Sequence, residues 1–233
     1  RFHDPESAAE VWDEMLEVTT KPMEEYRARM KAAELRNDYE AVIENIGRLL
    51  EKNDRQYWLY YKRAKAYRNI SALEEARADL KRAEEAIEER AGKMDWDPKS
   101  LASTYLNIAR EYGYLGDHDK SFACLARAEQ LSPNDIYLYE DRSGVYNSQG
   151  LYEKALADAN KGVELAPQRS WMRKRRAEAL FHLNRFDEAL ADVAKAVELT
   201  PNDISNLFWI LPSQAAACPN ESFRTGLLEL ADK

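Results

Sequence analysis

Cysteine, glycine and proline are scarce in this sequence of 233 residues. Cys124 and Cys218 are its two cysteines and form no CxxC pair, which argues against a structural zinc site and against a disulfide scaffold. Eight glycines and eight prolines are too few for a disordered tail or a turn-rich β-sandwich. The longest unbroken apolar run, Leu207 to Leu211, is far short of the ~20 residues that a membrane-spanning helix needs. We therefore expect a soluble helical chain, and the cysteine usage favours a reducing, cytoplasmic compartment.

Charge is abundant but of the wrong sign for a general nucleic-acid binder. The chain carries 34 basic and 42 acidic side chains, a net charge of -8, whereas such binders neutralise phosphates with a basic surface. Any cationic site must therefore be local.

The sequence repeats with a period of 34 residues, because Pro133, Pro167 and Pro201 are each 34 positions apart. Apolar residues recur at helical spacing on both sides of a turn at position 15 of each unit, so each unit is predicted to be two helices. Small residues recur at positions 20 and 27, where two helices must approach closely. The residues that carry this pattern are Gly116, Gly150 and Asn184 at position 15, Ser121, Ala155 and Ala189 at position 20, and Ala128, Gly162 and Ala196 at position 27.

Five such units are predicted within 22–203. The second has an insert, Ala91 to Leu101, that we expect to extend its second helix, and the first has a turn, Asn37 to Ala41, that we interpret as one residue tighter. Asp4 and Pro5 predict the start of an N-terminal capping helix within 1–21. The region 204–233 is predicted to be a truncated sixth unit or cap, broken at Pro212 and helical again from Thr225. The units are 23–56, 57–101, 102–135, 136–169 and 170–203.

These features resemble the tetratricopeptide repeat, most clearly from Gly150 through Tyr152, Ala155 and Ala159 to Pro167. The resemblance implies an all-α fold, a right-handed superhelical solenoid of antiparallel helix pairs whose first helices line a concave groove. The segments NLFWIL, ACPNE, FRTG and LLELA further resemble a loop-expanded repeat of large bacterial multidomain proteins. That resemblance implies a bacterial origin and a repeat region within a longer polypeptide.

Arginine occupies position 7, normally apolar in this family, in four units. When the tighter turn of the first unit is taken into account, an acid holds position 23 in each of these units, and the remaining unit has Ile108 with Cys124 instead. Because an unpaired buried charge is costly, this joint change predicts structural ion pairs between the two helices of a unit. The predicted pairs are Arg29 with Glu44, Arg63 with Asp79, Arg142 with Asp158, and Arg176 with Asp192.

Signatures of catalysis are missing from the sequence. His3, His118 and His182 are far apart, and there is no HExxH, GxSxG, GxxxxGK[ST] or GxGxxG motif. Cys124 is predicted to be a small buried apolar residue, and Cys218 to lie in a loop. The basic run Arg173 to Arg176 spreads around a helix, so it does not predict a phosphate-binding stripe. We expect no enzyme, no metal and no cofactor.

The first helices combine aromatic and cationic side chains on the face that the resemblance assigns to the groove. Aromatic anchors with clustered cations are typical of binding sites for acidic or phosphorylated peptides, although lysines and tyrosines also solvate ordinary helix faces. Trp58 and Trp171, which we expect to be exposed, favour binding because tryptophan is a poor solvating residue. The units do not reproduce the carboxylate clamp of the chaperone-binding members of the family. The predicted groove residues are Arg27, Lys31, Trp58, Tyr61, Lys62, Lys65, Arg68, Asn69, Asn107, Arg110, Tyr114, Tyr137, Trp171, Lys174 and Arg175.

The sequence thus predicts a protein-protein interaction scaffold that binds an extended, acidic or phosphorylated peptide. An alternative is a structural module for weak self-association, through exposed ends such as Ile204 to Leu211, or for docking within a larger signalling protein. Neither nucleic acid nor a membrane is an expected partner.

Overall fold

The computed structural model describes residues 22–91, 96–201 and 218–231. Within them the protein is all-α, with eleven helices and no strand. The predicted capping helix within 1–21 and the segment Ile204 to Leu211 with Pro212 lie outside the described residues. The helices are α1 (Pro22–Arg36), α2 (Tyr39–Lys52), α3 (Tyr57–Asn69), α4 (Leu73–Ala91), α5 (Pro98–Tyr114), α6 (His118–Leu131), α7 (Ile136–Ser148), α8 (Tyr152–Leu165), α9 (Ser170–His182), α10 (Phe186–Leu199) and α11 (Glu221–Ala231).

Contacts divide the chain into two units. Unit 1 holds the described part of Arg1–Asp97 together with Arg110–Asp117, and in it α1 packs on α2, α2 on α3, and α3 on α4. Unit 2 holds Pro98–Ala109 and the described part of His118–Lys233. In unit 2, α6 packs on α7, α7 on α8, α8 on α9, α9 on α10, and α10 on α11.

The same turn closes all five helix hairpins of the described residues. The residue at position 15 has a positive φ of 56° to 72°, and the amide of the following residue donates to the carbonyl five residues before it at 2.9 Å. This left-handed residue with its backward hydrogen bond is the Schellman motif that ends a helix. The next helix then begins two residues later, at Tyr39, Leu73, His118, Tyr152 or Phe186. The residues with positive φ are Asn37, Ser71, Gly116, Gly150 and Asn184.

Ser71 is the least suited of these five residues to its conformation. Glycine and asparagine tolerate the left-handed region, whereas the Cβ of serine is crowded there. We expect Ser71→Gly to raise the free energy of unfolding by about 0.5–1 kcal/mol, in a urea titration. The exposed neighbour Glu74 offers a control, because Glu74→Gly in α4 should instead be destabilising. Destabilisation by Ser71→Gly would show that the serine side chain contributes more than its strained backbone costs.

The first hairpin follows the 34-residue frame without a shift, so the interpretation of a tighter turn is wrong. Asn37 has the positive φ at position 15, and α2 begins at Tyr39, position 17, as the other second helices do. The buried residues of α2 are Val42, Ile46, Leu49 and Leu50, which places Val42 rather than Ala41 at position 20.

Three of the four predicted arginine-acid pairs are confirmed. Arg63 donates to both carboxylate oxygens of Asp79 at 2.6 and 2.7 Å. Arg142 does so to Asp158 at 2.7 and 2.9 Å, and this raises the pKa of Arg142, chiefly through the hydrogen bond. The third pair, Arg176 with Asp192, spans 2.6 and 2.7 Å.

The fourth predicted pair, Arg29 with Glu44, is wrong. Arg29 binds Glu25 of its own helix at 2.6 Å, and Glu44 is exposed. In the unshifted frame Asn45 holds position 23, and its amide donates to the carbonyl of Ala41, so no carboxylate faces Arg29 there.

The unit without an arginine buries its apolar pair as predicted. Ile108 is 1% exposed and Cys124 2%.

Small residues at positions 8 and 20 bring the two helices of a unit together. Ser121 donates its hydroxyl to the carbonyl of Ala109 at 2.8 Å, and in the next hairpin Ser143 donates to that of Ala155 at 3.0 Å. At position 27, Gly162 leaves room for a methionine, because an added Cβ would lie 1.6 Å from Cε of the buried Met172.

The helices on both sides of the insert in the second 34-residue repeat are longer than predicted from the other repeats. Helix α4 has 19 residues, whereas α2, α6, α8 and α10 have 14, and α5 begins at Pro98, before the predicted start of its unit. Trp96 packs against Tyr57, with ring centroids 5.3 Å apart, and Arg90 lies 5.1 Å from its ring. Trp96 of the insert thus lies against Tyr57 at the start of α3, within unit 1.

Helix α11 begins at Glu221, four residues before the predicted Thr225. The side chain of Asn220 accepts a hydrogen bond from the amide of Phe223 at 2.8 Å, which caps the helix. Phe223 and Cys218 are both buried in a cluster with residues of α9 and α10. Cys218 lies outside a helix, as predicted, but it belongs to this core.

Candidate peptide-binding surfaces

The predicted groove residues are divided between unit 1 and unit 2, the two units that the contacts define, and each presents its own surface. Unit 1 contains ten of them, on α1, α3 and the end of α5. Unit 2 contains Asn107, Tyr137, Trp171, Lys174 and Arg175, on α5, α7 and α9.

An acidic side chain that sequence reasoning missed lies on the surface of unit 1. Glu34 of α1 forms ion pairs with Lys62 of α3 and, at 3.1 Å, with Lys31. Burial lowers the pKa of Lys62, against the opposing effect of the hydrogen bond to Glu34. Glu34 holds position 12 of its repeat, as the predicted groove residue Arg68 does in the next repeat, so the repeat frame could have predicted Glu34 at this surface.

A second missed acid neutralises Arg68. The guanidinium Nε donates to Glu111 at 2.8 Å, and the carboxylate side chain of Glu111 is 4% exposed. The exposed ring of Tyr114 lies 5.0 Å from the same guanidinium. Two acids from neighbouring helices thus lie against the cationic side chains of α3, and Arg68 is a half-buried member of an ion pair.

Lys65 remains a cation on this surface. Its ammonium lies 5.7 Å from the ring centre of Tyr61, and we find no acidic partner for it among the described residues. Burial raises the pKa of Tyr61 to about 12, so its phenol stays protonated at neutral pH and can donate a hydrogen bond. Lys65 and Tyr61 line an open cavity of about 390 Å³ together with Glu34, Tyr39, Val42, Lys62, Ala66 and Asn69.

The remaining groove residues of unit 1 differ in exposure. Trp58 is half-buried against the core of α1 to α3 rather than exposed as expected. Arg27 and Asn69 are exposed, and Arg110 is half-buried. Ile70, which follows the last residue of α3, is 40% exposed.

The surface of unit 2 is built around two stacked rings. Tyr137 of α7 and Trp171 of α9 lie with centroids 5.6 Å apart and planes inclined by 9°. Trp171 is half-buried beside Val163 and Met172, whereas Tyr137 is 47% exposed. The expectation of an exposed Trp171 is thus wrong, and the exposed aromatic of the pair is Tyr137.

Arg175 lies close to the backbone of α7. A Cβ added to Gly144 would lie 3.4 Å from its guanidinium, and Arg175 also binds Glu178 at 3.3 Å. Lys174 is half-buried and Asn107 is exposed.

Asn147, at position 12 of its unit, is a further polar residue that the prediction omitted. It is 7% exposed, and neither atom of its amide has a hydrogen-bond partner among the described residues. A buried amide costs free energy unless it is hydrogen-bonded, so Asn147 is a candidate contact for a bound peptide backbone.

Comparison with known proteins identifies the repeat. The family model of the tetratricopeptide repeat matches residues 102–135 and 175–203. Among solved structures, MamA superposes with a TM-score of 0.56 at 19% identity, over 83% of this chain and 100% of that chain. The chain contains tetratricopeptide repeats.

Two other solved structures with this fold are themselves described as tetratricopeptide-repeat proteins. TTC0263 of Thermus thermophilus has a TM-score of 0.52 at 22% identity, over 82% of this chain and 91% of that one. YrrB, described as having an unusual peptide-binding site, has a TM-score of 0.53 at 16% identity, over 85% of this chain and 97% of that one. No curated protein sequence matches the chain.

The described residues hold no candidate metal centre and no candidate membrane-spanning helix. We find no group of three or more histidine, cysteine or acidic side chains among them that could hold a metal ion. None of the helices that they form is long and apolar enough to cross a membrane. The ring of His182 stacks on that of Tyr152, with ring centroids 4.4 Å apart. Tetratricopeptide-repeat proteins are generally non-catalytic scaffolds.

Proposed function

We propose that this protein binds an acidic segment of a partner protein, with the cavity beside Lys65 as the anchor. Tetratricopeptide-repeat arrays are protein-protein interaction scaffolds, and the peptide-binding site of YrrB supports a peptide as the ligand. The observation that carries the acidic preference is the charge around the cavity of unit 1. Lys62 and Lys65 line the cavity together with one acid, Glu34, which also binds Lys31, so the three lysines outnumber the acid.

The environment of this cavity favours an added carboxylate or phosphoryl group. Lys62 is partly desolvated, and a further anion beside it would offset that cost. Lys65 lies beside the ring of Tyr61 and forms no ion pair within the part of the chain that the structure describes, and the neutral phenol of Tyr61 can donate a hydrogen bond to the same group.

Lys65→Glu should abolish this preference without unfolding the protein, because Lys65 is exposed and its ammonium, beside the ring of Tyr61, forms no ion pair with the described residues. We expect the affinity for an acid-rich peptide to fall at least about tenfold, which corresponds to about 1.4 kcal/mol. The measurement is a fluorescence titration of acidic, neutral and basic peptides of equal length. Affinity should also fall as salt is raised, since screening acts over about 10 Å at 0.1 M.

Lys52→Glu is the matched control, with the same change of charge on an exposed residue at the far end of α2. At about 1.5 Å per residue, it lies about 20 Å along the helix from Tyr39 at the cavity. Arg68 is unsuitable for this test because Arg68→Glu would place a carboxylate beside the buried Glu111. Equal affinities of the Lys65 and Lys52 variants, or a preference for basic peptides, would overturn the proposal.

A further inference from the structure

A second cavity, of about 330 Å³, lies in unit 2 between α8, α9 and α10. None of its nine lining residues belongs to the predicted groove; Leu156, Leu180 and Ala191 are apolar, and the other six have polar side chains. These six are Asn160 of α8, Arg173 and Arg176 of α9, Arg185 immediately before α10, and Glu188 and Asp192 of α10.

Arg173 is an exception to the repeat. Position 4 is tyrosine in the other four units and arginine in this one. The tyrosines are Tyr26, Tyr60, Tyr105 and Tyr139.

The arginine keeps the structural contact of the tyrosine that it replaces. Tyr139 donates its hydroxyl to the carbonyl of Pro133 at 2.8 Å, and Arg173 donates from Nη2 to the carbonyl of Pro167 at 3.3 Å. These prolines hold the same position of consecutive units. Because tyrosine suffices for this contact, the fold does not require a positive charge at position 4.

The substitution changes the local balance of charge. In the preceding hairpin one arginine, Arg142, binds two acids, Asp158 and Glu129. Here two arginines share one acid, since Arg173 and Arg176 both bind Asp192, at 3.1 and 2.6 Å. The third arginine of the cavity, Arg185, is matched by Glu188 at 2.7 Å. The side chains that line the cavity thus carry three positive and two negative charges, an excess of one positive charge.

The guanidinium group of Arg173 also has one N-H that donates no hydrogen bond to the described residues. Nε of Arg173 is buried and has no hydrogen-bond acceptor among the described residues. A buried guanidinium N-H without an acceptor is costly, and an anionic oxygen is the acceptor that satisfies it best. Arg176 adds a weakly engaged donor, because its Nη1 reaches Asn160 at 3.3 Å.

We propose that this cavity is an oxyanion site that takes one phosphoryl group. Guanidinium groups present several N-H donors in a fixed fork, which suits the oxygens of a phosphate better than a lysine ammonium does. The excess of positive charge at the cavity suits an anion, and the guanidinium of Arg173, whose Nε has no acceptor among the described residues, lines it. The phosphoryl group comes either from free phosphate or from a phosphorylated side chain of a partner.

Arg173→Tyr tests the proposal, because it restores the residue of the other four units. We would titrate the full chain with inorganic phosphate, at constant ionic strength with chloride, and follow the thermal midpoint and the heat of binding. Phosphate should raise the midpoint of the wild type, and Arg173→Tyr should weaken its binding at least tenfold. Arg127→Gln, which removes the same charge from an exposed position of α6, should bind phosphate as the wild type does.

A second pair of probes distinguishes the two sources of the phosphoryl group. N-acetyl-phosphoserine amide should bind in place of phosphate if the site takes a phosphorylated side chain, with N-acetyl-serine amide as its control. Binding of inorganic phosphate alone assigns the site to free phosphate. Arg173→Gln replaces the tyrosine variant if the latter fails to fold. Absence of binding by both phosphate probes, or equal binding by wild type and the Arg173 variant, would overturn the proposal, whatever the outcome at Lys65.

Discussion

Replacing Asp192 by alanine is expected to lower the free energy of unfolding by about 3 kcal/mol, in the range for breaking a buried ion pair. The carboxylate side chain is 4% exposed and accepts hydrogen bonds from Arg176 at 2.6 and 2.7 Å and from Arg173 at 3.1 Å. Its removal leaves two partly buried guanidinium groups without their acid. The loss is measured by urea unfolding followed by far-UV circular dichroism.

The equivalent acid of the preceding hairpin is the internal control. Asp158→Ala removes the bidentate partner of Arg142, but Glu129 remains bound to the same guanidinium at 2.9 Å. We therefore expect a smaller loss, about 1–2 kcal/mol, and the double variant with Arg142→Ala should lose less than the sum of the two single variants. Equal losses for Asp158→Ala and Asp192→Ala would contradict the argument that Asp192 serves two arginines.

The ion pairs illustrate what the sequence could predict. A charge that must be buried needs its partner at a fixed place in the fold, so Arg63, Arg142 and Arg176 could each be matched to an acid by repeat position alone. The same logic found the apolar exception, because Ile108 and Cys124 change together. Long-range contacts became predictable here because a repeat samples the same pair of positions several times.

The first hairpin shows where this reasoning failed. The predicted pairing of Arg29 with Glu44 requires a frame shifted by one residue, although Val42, Ile46 and Leu49 fit a helix core without any shift. The apolar spacing was the stronger signal, since it decides which face of α2 is buried. Arg29 is exposed and bound within its own helix, so it has no need of a partner on α2.

The binding surfaces were predicted less well than the fold, because their charge depends on side chains of different helices. Helical spacing placed Lys62 and Arg68 on one face of α3, but it did not reveal that Glu34 and Glu111 lie against them. Spacing along one helix also gives no measure of the packing that half-buries Trp58. Arg173 was visible as a departure from tyrosine, yet its orphaned Nε and its share of Asp192 are properties of three packed helices.

Phe223→Ala is expected to lower the free energy of unfolding by about 3–4 kcal/mol, as for other buried phenylalanines. Its side chain is 1% exposed, and its ring lies 5.4 Å from that of Phe181 and 5.7 Å from that of Phe186. Truncation would leave a cavity among α9, α10 and α11 and would weaken the attachment of α11. Urea unfolding of the full chain measures the loss, and limited proteolysis after 220 reports local release of α11.

Leu228→Ala on the same helix is the matched control, because Leu228 is 68% exposed. It should change stability by no more than about 0.5 kcal/mol, as expected for a surface position. If Phe223→Ala cost as little as Leu228→Ala and left the proteolysis unchanged, the aromatic cluster would not hold α11 against α9 and α10. If instead α11 became protease-sensitive at a small cost in global stability, the helix would be a separately unfolding end of unit 2, since a terminal helix pair of a repeat array can open without its neighbours.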